Sequence, residues 1–429
     1  MAGLTAALRL TSAGYRVAVF ERYPQSGGLA RGFEVGGEPL ECFYHHLFTS
    51  DTDYLRLAAE LGLAADIEWL PSCMGIWTEG HLWDFGTPLS LLRFRPLSWL
   101  DKLRFSTAVL RLSRNPDPTP FENVTAAEWM RRNCGERVWR CVWGPLLEQK
   151  FADQAEQVAM VWLWGKLHLR GRSRSKSGMG ERLGYMRGSF GRLVDALQKR
   201  IMAQGGELHL GEAVTRVERS GNGFGLATRR GSFAADRVVV TAPIPDYAEI
   251  AGHLLPTQER ARLEALRATA VICTVLVLER SLTPYYWLNI ADPTMPFGGL
   301  IEHTNYIPGE RYGGHTILYV SNYLPPDHPM MRAPKVQVLE TYLPALARIN
   351  PAFEPSWILS SHHFRADYAQ PVVTVGYREQ IPAMRTPVRG LYLCCMAQIF
   401  PEDRGQNYAI RYGERVAQIV LEDVREAGS

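Results

Sequence analysis

The chain lacks long apolar runs. No stretch approaches the roughly 18 uncharged apolar residues of a membrane span. Arg9 interrupts the first apolar stretch, so neither a transmembrane helix nor a signal peptide is predicted. Net charge is also lacking: 47 Lys and Arg against 44 Asp and Glu leave +3, which removes the general argument for a nucleic-acid partner. No CxxC occurs among the seven cysteines, Cys42, Cys73, Cys134, Cys141, Cys273, Cys394 and Cys395. An odd count without that spacing suggests no disulfide framework, and a reducing cytosol is the expected compartment. The sequence has no internal repeat and no long low-complexity segment. What remains is a globular protein of 429 residues, 46% apolar and 21% charged, long enough for two domains.

The first residues are the most informative. Leu4, Ala7, Leu8 and Leu10 fall at helical spacing, and Gly14 is placed to stop that helix. Tyr15 to Glu21 is a β-branched run ending in an acid, a buried strand. Similar patterns recur far downstream. A helix is predicted over 188–204, strands over 207–210 and 213–218, and a hairpin over 224–229 and 232–235. A buried strand is predicted over 237–242, a strand over 390–395 and a helix over 407–424. One nucleotide-binding domain built from these pieces is discontinuous: 1–60, 186–245 and 385–429. A substrate domain then comprises 61–185 and 246–384, with a helix over 258–267 and strands over 271–278 and 316–321. Asn115 to Pro120 is the clearest loop.

Gly3 fits the third position of a G-x-G-x-x-G dinucleotide fingerprint, where a glycine lets helix and sheet pack closely. Glu21, followed by Arg22, ends the next strand where an acid accepts from ribose hydroxyls. The run Gly27-Gly28-Leu29-Ala30-Arg31 combines close backbone approach with a fixed cationic fork for a phosphate. On this reading the first strand and the first two fingerprint glycines lie upstream of Met1. About 10 residues would be missing, and the flanking strand edges exposed.

These segments, with 184–190, 237–243 and 390–413, resemble the flavin amine oxidase superfamily, which includes protoporphyrinogen oxidases, phytoene desaturases and UDP-galactopyranose mutases. The resemblance implies an α/β, three-layer, Rossmann-like FAD-binding domain with an inserted α+β substrate domain. It implies FAD as the cofactor, with Glu21 on the adenosine ribose, Arg31 on the pyrophosphate and Val214 at the adenine. Ala242, within the matching segment 237–243, counts among the cofactor-binding residues, and the C-terminal segment covers the ribityl chain and flavin ring. The chain departs from the family there: the usual Gly-Asp is absent, and Glu402 or Asp403 is left to replace its acid. Gln406 and Asn407 open the following helix, whose N-terminus offers N–H groups and a positive dipole to the flavin.

His46 takes the position of a histidine near the flavin in the mutases, while the pair His362-His363 matches nothing in the family. Two successive histidines on a strand point opposite ways, so no metal site is predicted. The run 170–176 carries Arg170, Arg172 and Arg174. It is either a holder for an anionic substrate group or a solvated loop. Leu91 to Arg114 interleaves apolar and basic residues, and is either an ordinary helix of the substrate domain or a peripheral membrane contact. The resulting expectation is hydride transfer from a C–H or C–N centre of a small or apolar substrate to flavin N5. Two alternatives stand beside it: a non-redox flavin reaction on a nucleotide sugar, as in the mutases, and a scaffold that has lost its cofactor.

Overall fold

The structure is a computed structural model. It describes residues 1–173 and 181–428, with side chains described outside 169–173, 181 and 428.

The opening helix Ala2–Ser12 is apolar on two sides because it is buried on two sides. Leu4, Ala7 and Leu8 join Leu193, Leu197 and Ile201 of helix Gly191–Ala203. Ala6 and Leu10 join Val416, Ala417 and Val420 of the last helix, Gln406–Gly428. These helices form one outer layer. The middle layer consists of two parallel pairs. Ala18–Glu21 pairs with Glu207–Leu210, and Val238–Val240 pairs with Leu391–Leu393. The third layer is an antiparallel meander of Val214–Ser220, Gly223–Thr228 and Ser232–Ala235. Alternation along the middle strands fixes the layering: Val238, Val240, Leu391 and Leu393 pack with Val217, Phe224 and Leu226 of the meander. Val239 and Tyr392 turn the other way, towards the helices. Strands from both ends of the chain and from its middle therefore complete one three-layer α/β unit, as the sequence predicts.

A second sheet of seven strands runs in the order Ile358–Pro371, Ala268–Leu278, Thr316–Leu324, Gly299–Glu302, Trp287–Ile290, Met74–Thr78 and His81–Phe85. All neighbours are antiparallel except Trp287–Ile290 with Met74–Thr78. Ala268–Leu278 sits between two partners and is buried on both faces, which explains its unbroken apolar run. Helix Lys335–Ile349 covers one face through Val338, Tyr342 and Leu346. Helices Ala126–Cys134, Gly144–Phe151 and Met160–Ser173 surround a tryptophan-rich core of Trp129, Trp139, Trp162 and Trp164.

The stretch 91–114 is two helices rather than one, Pro88–Arg93 and Trp99–Arg114. Pro96 cannot continue the first. Ser98 starts the second with a capping box: its hydroxyl accepts the Asp101 N–H at 3.2 Å, and the Asp101 carboxylate accepts the Ser98 N–H at 3.1 Å. No helix among the described residues is long and apolar enough to cross a membrane.

Candidate functional site: a dinucleotide cavity

A cavity of about 1990 Å³ opens between the two parallel pairs, lined by Ala18–Glu21 of one and Val238–Val240 of the other, and reaches the edge of the seven-stranded sheet. Its volume exceeds the roughly 1,000 Å³ upper end of ordinary small-molecule pockets, leaving room for an extended dinucleotide and a substrate together. Gly3 lines it from the first helix, and a Cβ there would lie 2.8 Å from the Thr241 hydroxyl. The helix approaches this closely only with glycine.

Glu21 closes its strand at the cavity wall, its carboxylate accepting the Tyr23 N–H at 3.0 Å. Gly27 and Gly28 follow with φ of +109° and +62°, values that L side chains resist. Gly27 caps the single turn Gly28–Ala30, and space above Gly28 is open, so the backbone is accessible from the cavity. Leu29, Ala30, Val214 and Ala242 complete this end. Arg22 lines the cavity too but is ion-paired with Asp246. Arg31 differs: its guanidinium lies over the Tyr23 ring at 4.4 Å, and no carboxylate among the described residues neutralises it.

The far end comes from Arg267 to Thr269, Arg365 to Tyr368 and Arg404 to Gln406. Arg404 is held by the Tyr323 hydroxyl at 2.6 Å and the Gln370 amide oxygen at 3.1 Å. Gln406 is buried, and neither its amide oxygen nor its amide nitrogen has a partner; the buried Tyr368 hydroxyl has none either. Buried polar atoms are ordinarily satisfied. These orphaned groups on the cavity wall fit a polar ligand there, as the glycine turn and Arg31 do at the other end.

Four expected site residues lie elsewhere. Glu402 pairs with Arg411 at 3.1 Å, off the cavity. Asp403 accepts from Trp162 Nε1 at 3.0 Å and Gln370 Nε2 at 3.1 Å, and pairs with Lys166 at 2.7 Å. Burial works to raise its pKa, but the charges of Lys166, Lys150 and Arg404 outweigh burial and hold it well below the usual carboxylate range. Both acids are engaged by protein groups and neither lines the cavity. Asn407 caps a neighbouring helix, Thr52–Glu60, its side-chain oxygen accepting the N–H of Asp53 at 2.9 Å and of Tyr54 at 3.0 Å.

His46 packs against Phe48, Tyr286 and Trp287, with Nδ1 3.2 Å from the Tyr286 hydroxyl. It is the adjacent His45 that lines the cavity. Burial pushes the His45 pKa down to about 4, with Arg404 adding to the shift and the Phe43 carbonyl opposing it. The side chains of Arg170, Arg172 and Arg174 lie outside the described residues.

Sequence reasoning missed His45, Tyr368 and Arg404 on the cavity wall, and Lys150 beside Asp403 behind it. Lys150 is buried against the rings of Trp162 and Tyr323, and burial brings its pKa down to about 8. The one available signal was Arg404 beside the acids of the departed motif.

A family model described as flavin containing amine oxidoreductase matches residues 1–421. No curated protein matches the chain. Among solved structures, a putative protoporphyrinogen oxidase from Exiguobacterium sp. 255-15 is 16% identical, with a TM-score of 0.76, over 98% of this chain and 97% of that one. Putrescine oxidase bound to putrescine is 16% identical, with a TM-score of 0.71, over 98% and 97%. Reduced UDP-galactopyranose mutase is 16% identical, with a TM-score of 0.74, over 98% and 93%. At these identities the likeness shows the fold. The match over nearly the whole chain shows the family: this chain belongs to the flavin containing amine oxidoreductases, and FAD is its cofactor.

Proposed function

We propose that the chain is an FAD-dependent oxidoreductase acting on a C–H or C–N centre of a small or apolar substrate. One observation carries this reading: a single cavity joins the glycine turn and Arg31 to the strands of the seven-stranded sheet. A cofactor laid along it would bring its reactive end to Thr269, Tyr368 and Gln406. FAD, when bound, supplies the two-electron redox chemistry, and the protein supplies orientation and exclusion of water. Arg31 and the turn hold the phosphates. The Gln406 amide offers both a donor and an acceptor, and the Tyr368 hydroxyl a donor, all already desolvated. Arg404 fixes a positive charge at that same end. The Phe43 carbonyl, 2.5 Å from His45 Nδ1, can only accept; Nδ1 therefore carries the proton and Nε2 is left as an acceptor. At neutral pH His45 is uncharged, so it orients rather than donates charge.

The same reading takes 1–60, 186–245 and 385–429 as the FAD domain and 61–185 and 246–384 as the substrate domain. A cytosolic setting follows from cysteine usage. Of the two features that favour the mutase-like alternative, His46 packs against Phe48, Tyr286 and Trp287 away from the cavity lining, and the side chains of the Arg170 to Lys176 run lie outside the described residues.

The test is anaerobic mixing of the FAD-loaded protein with amines and with apolar C–H donors. Bleaching of the flavin absorbance by such a donor is the expected result. Turnover of a nucleotide sugar only after chemical reduction of the flavin, with no donor causing bleaching, would overturn the assignment.

A further inference from the structure

The two helices Pro88–Arg93 and Trp99–Arg114 carry an apolar surface that nothing among the described residues covers. Six of the twelve large apolar side chains exposed among the described residues lie here: Leu89, Leu92, Trp99, Leu100, Leu103 and Leu110. Trp99 is 72% exposed and Leu103 65%. Helix Trp99–Arg114 already has a core-facing side, made by Phe105, Ala108, Leu112 and the stem of Lys102. At 3.6 residues per turn, Trp99, Leu103 and Leu110 fall within about 40° of one another, and Leu100 within about 100° of Trp99, on the side away from that core. The helix is thus apolar on two faces and buried on one. Lys102 joins the helices: its ammonium donates to the Leu92 carbonyl at 2.8 Å and lies 4.8 Å from the centre of the Trp99 ring. Leu92 and Trp99 are thereby held in one place. Contiguous apolar patches on soluble monomers rarely exceed a few hundred Å² unless they meet a partner.

The charge around this face says what the partner is. Arg93, Arg95, Arg104, Arg111 and Arg114 are all exposed, and none has a carboxylate partner among the described residues. The acid on the same hairpin, Asp101, is taken up by the Ser98 capping box. An apolar stripe with an exposed tryptophan and unpaired arginines at its margins matches the acyl boundary and headgroups of an anionic bilayer. Long arginine stems reach the headgroups while the leucines descend.

We propose that this hairpin is an interfacial anchor that lies on an anionic phospholipid membrane. It concerns a partner rather than the reaction, and it stands or falls separately from the proposed chemistry.

The test is co-sedimentation of the full chain with phosphatidylcholine vesicles made with and without phosphatidylglycerol. Binding is expected only with phosphatidylglycerol, and is expected to weaken with salt. Trp99→Glu with Leu103→Glu should abolish it, leaving the circular dichroism spectrum and melting temperature unchanged because both side chains are largely exposed. Arg93→Ala, Arg95→Ala and Arg111→Ala should each weaken it by roughly fivefold. Absence of vesicle binding, equal binding to neutral vesicles, or indifference to both sets of substitutions would overturn the proposal. So would a dimer that the glutamate substitutions disperse without any vesicle binding, since a second copy would then cover the face.

Discussion

Replacing Arg31 by Ala removes a cation at the glycine turn that no carboxylate among the described residues compensates. Its guanidinium is positioned by the Tyr23 ring at 4.4 Å and faces the cavity without a carboxylate partner among the described residues. A charge-assisted hydrogen bond to a phosphate contributes about 1.5–3 kcal/mol, equivalent to roughly a 10- to 100-fold loss of FAD affinity. Arg22 provides the internal control. It lines the same cavity, but its charge is committed to Asp246, and Arg22→Ala should therefore weaken FAD by less than about fivefold. Glu21→Ala should fall in the larger class, through loss of the ribose contact. The assay is titration of the apo-protein with FAD, followed by quenching of flavin fluorescence, with melting curves to confirm folding. Equal effects of Arg22→Ala and Arg31→Ala, or wild-type affinity in Arg31→Ala, would refute the reasoning. Phosphate recognition would then rest on the backbone of the turn alone.

An unpartnered buried amide costs about 1–3 kcal/mol in the empty protein, so Gln406→Leu should raise the melting temperature of the apo-protein while lowering FAD affinity; unchanged affinity would show that the amide faces something else. Asn407→Ala removes the cap of helix Thr52–Glu60 and should cost about 1–2 kcal/mol in urea unfolding, with FAD affinity intact. A selective loss of FAD affinity would restore Asn407 to the site. Burial holds His303 neutral, with a folded pKa of about 3 against an ordinary 6.5. The unfolded state therefore takes up the proton first, and stability is lost as pH falls through the window between those values. Between about pH 7 and pH 5 this loss amounts to roughly 2 kcal/mol, and the gap between urea stabilities at the two pH values should narrow by that amount in His303→Gln. Identical gaps in the two proteins would refute it.

Local pattern made much of the fold legible. The opening helix, the strand ending in Glu21 and the return of strands after residue 200 follow from spacing and turn chemistry. The buried strand predicted over Tyr15 to Glu21 is shorter, Ala18–Glu21, and only partly buried, because burial depends on what packs against it. Leu91 to Arg114 is the instructive exception: Pro96 and the Ser98 capping box divide into two helices what the interleaving of basic and apolar residues presents as one stretch.

The sequence by itself determined the fingerprint end of the site, because Glu21, Gly27, Gly28 and Arg31 act within one strand and one turn. The far end was decided by tertiary structure. Whether His45 or His46 meets the cavity depends on Tyr286 and Trp287, more than 200 residues away. Asp403 was a candidate ligand until Trp162, Lys166 and Gln370 closed around it. Asn407 looked like a helix entry and became the cap of a different helix. Gln406 stood out only once its neighbours were known to leave it unpaired. A side chain's hydrogen-bond partners and desolvation are set by what folds against it, and those partners come from segments that no local pattern connects.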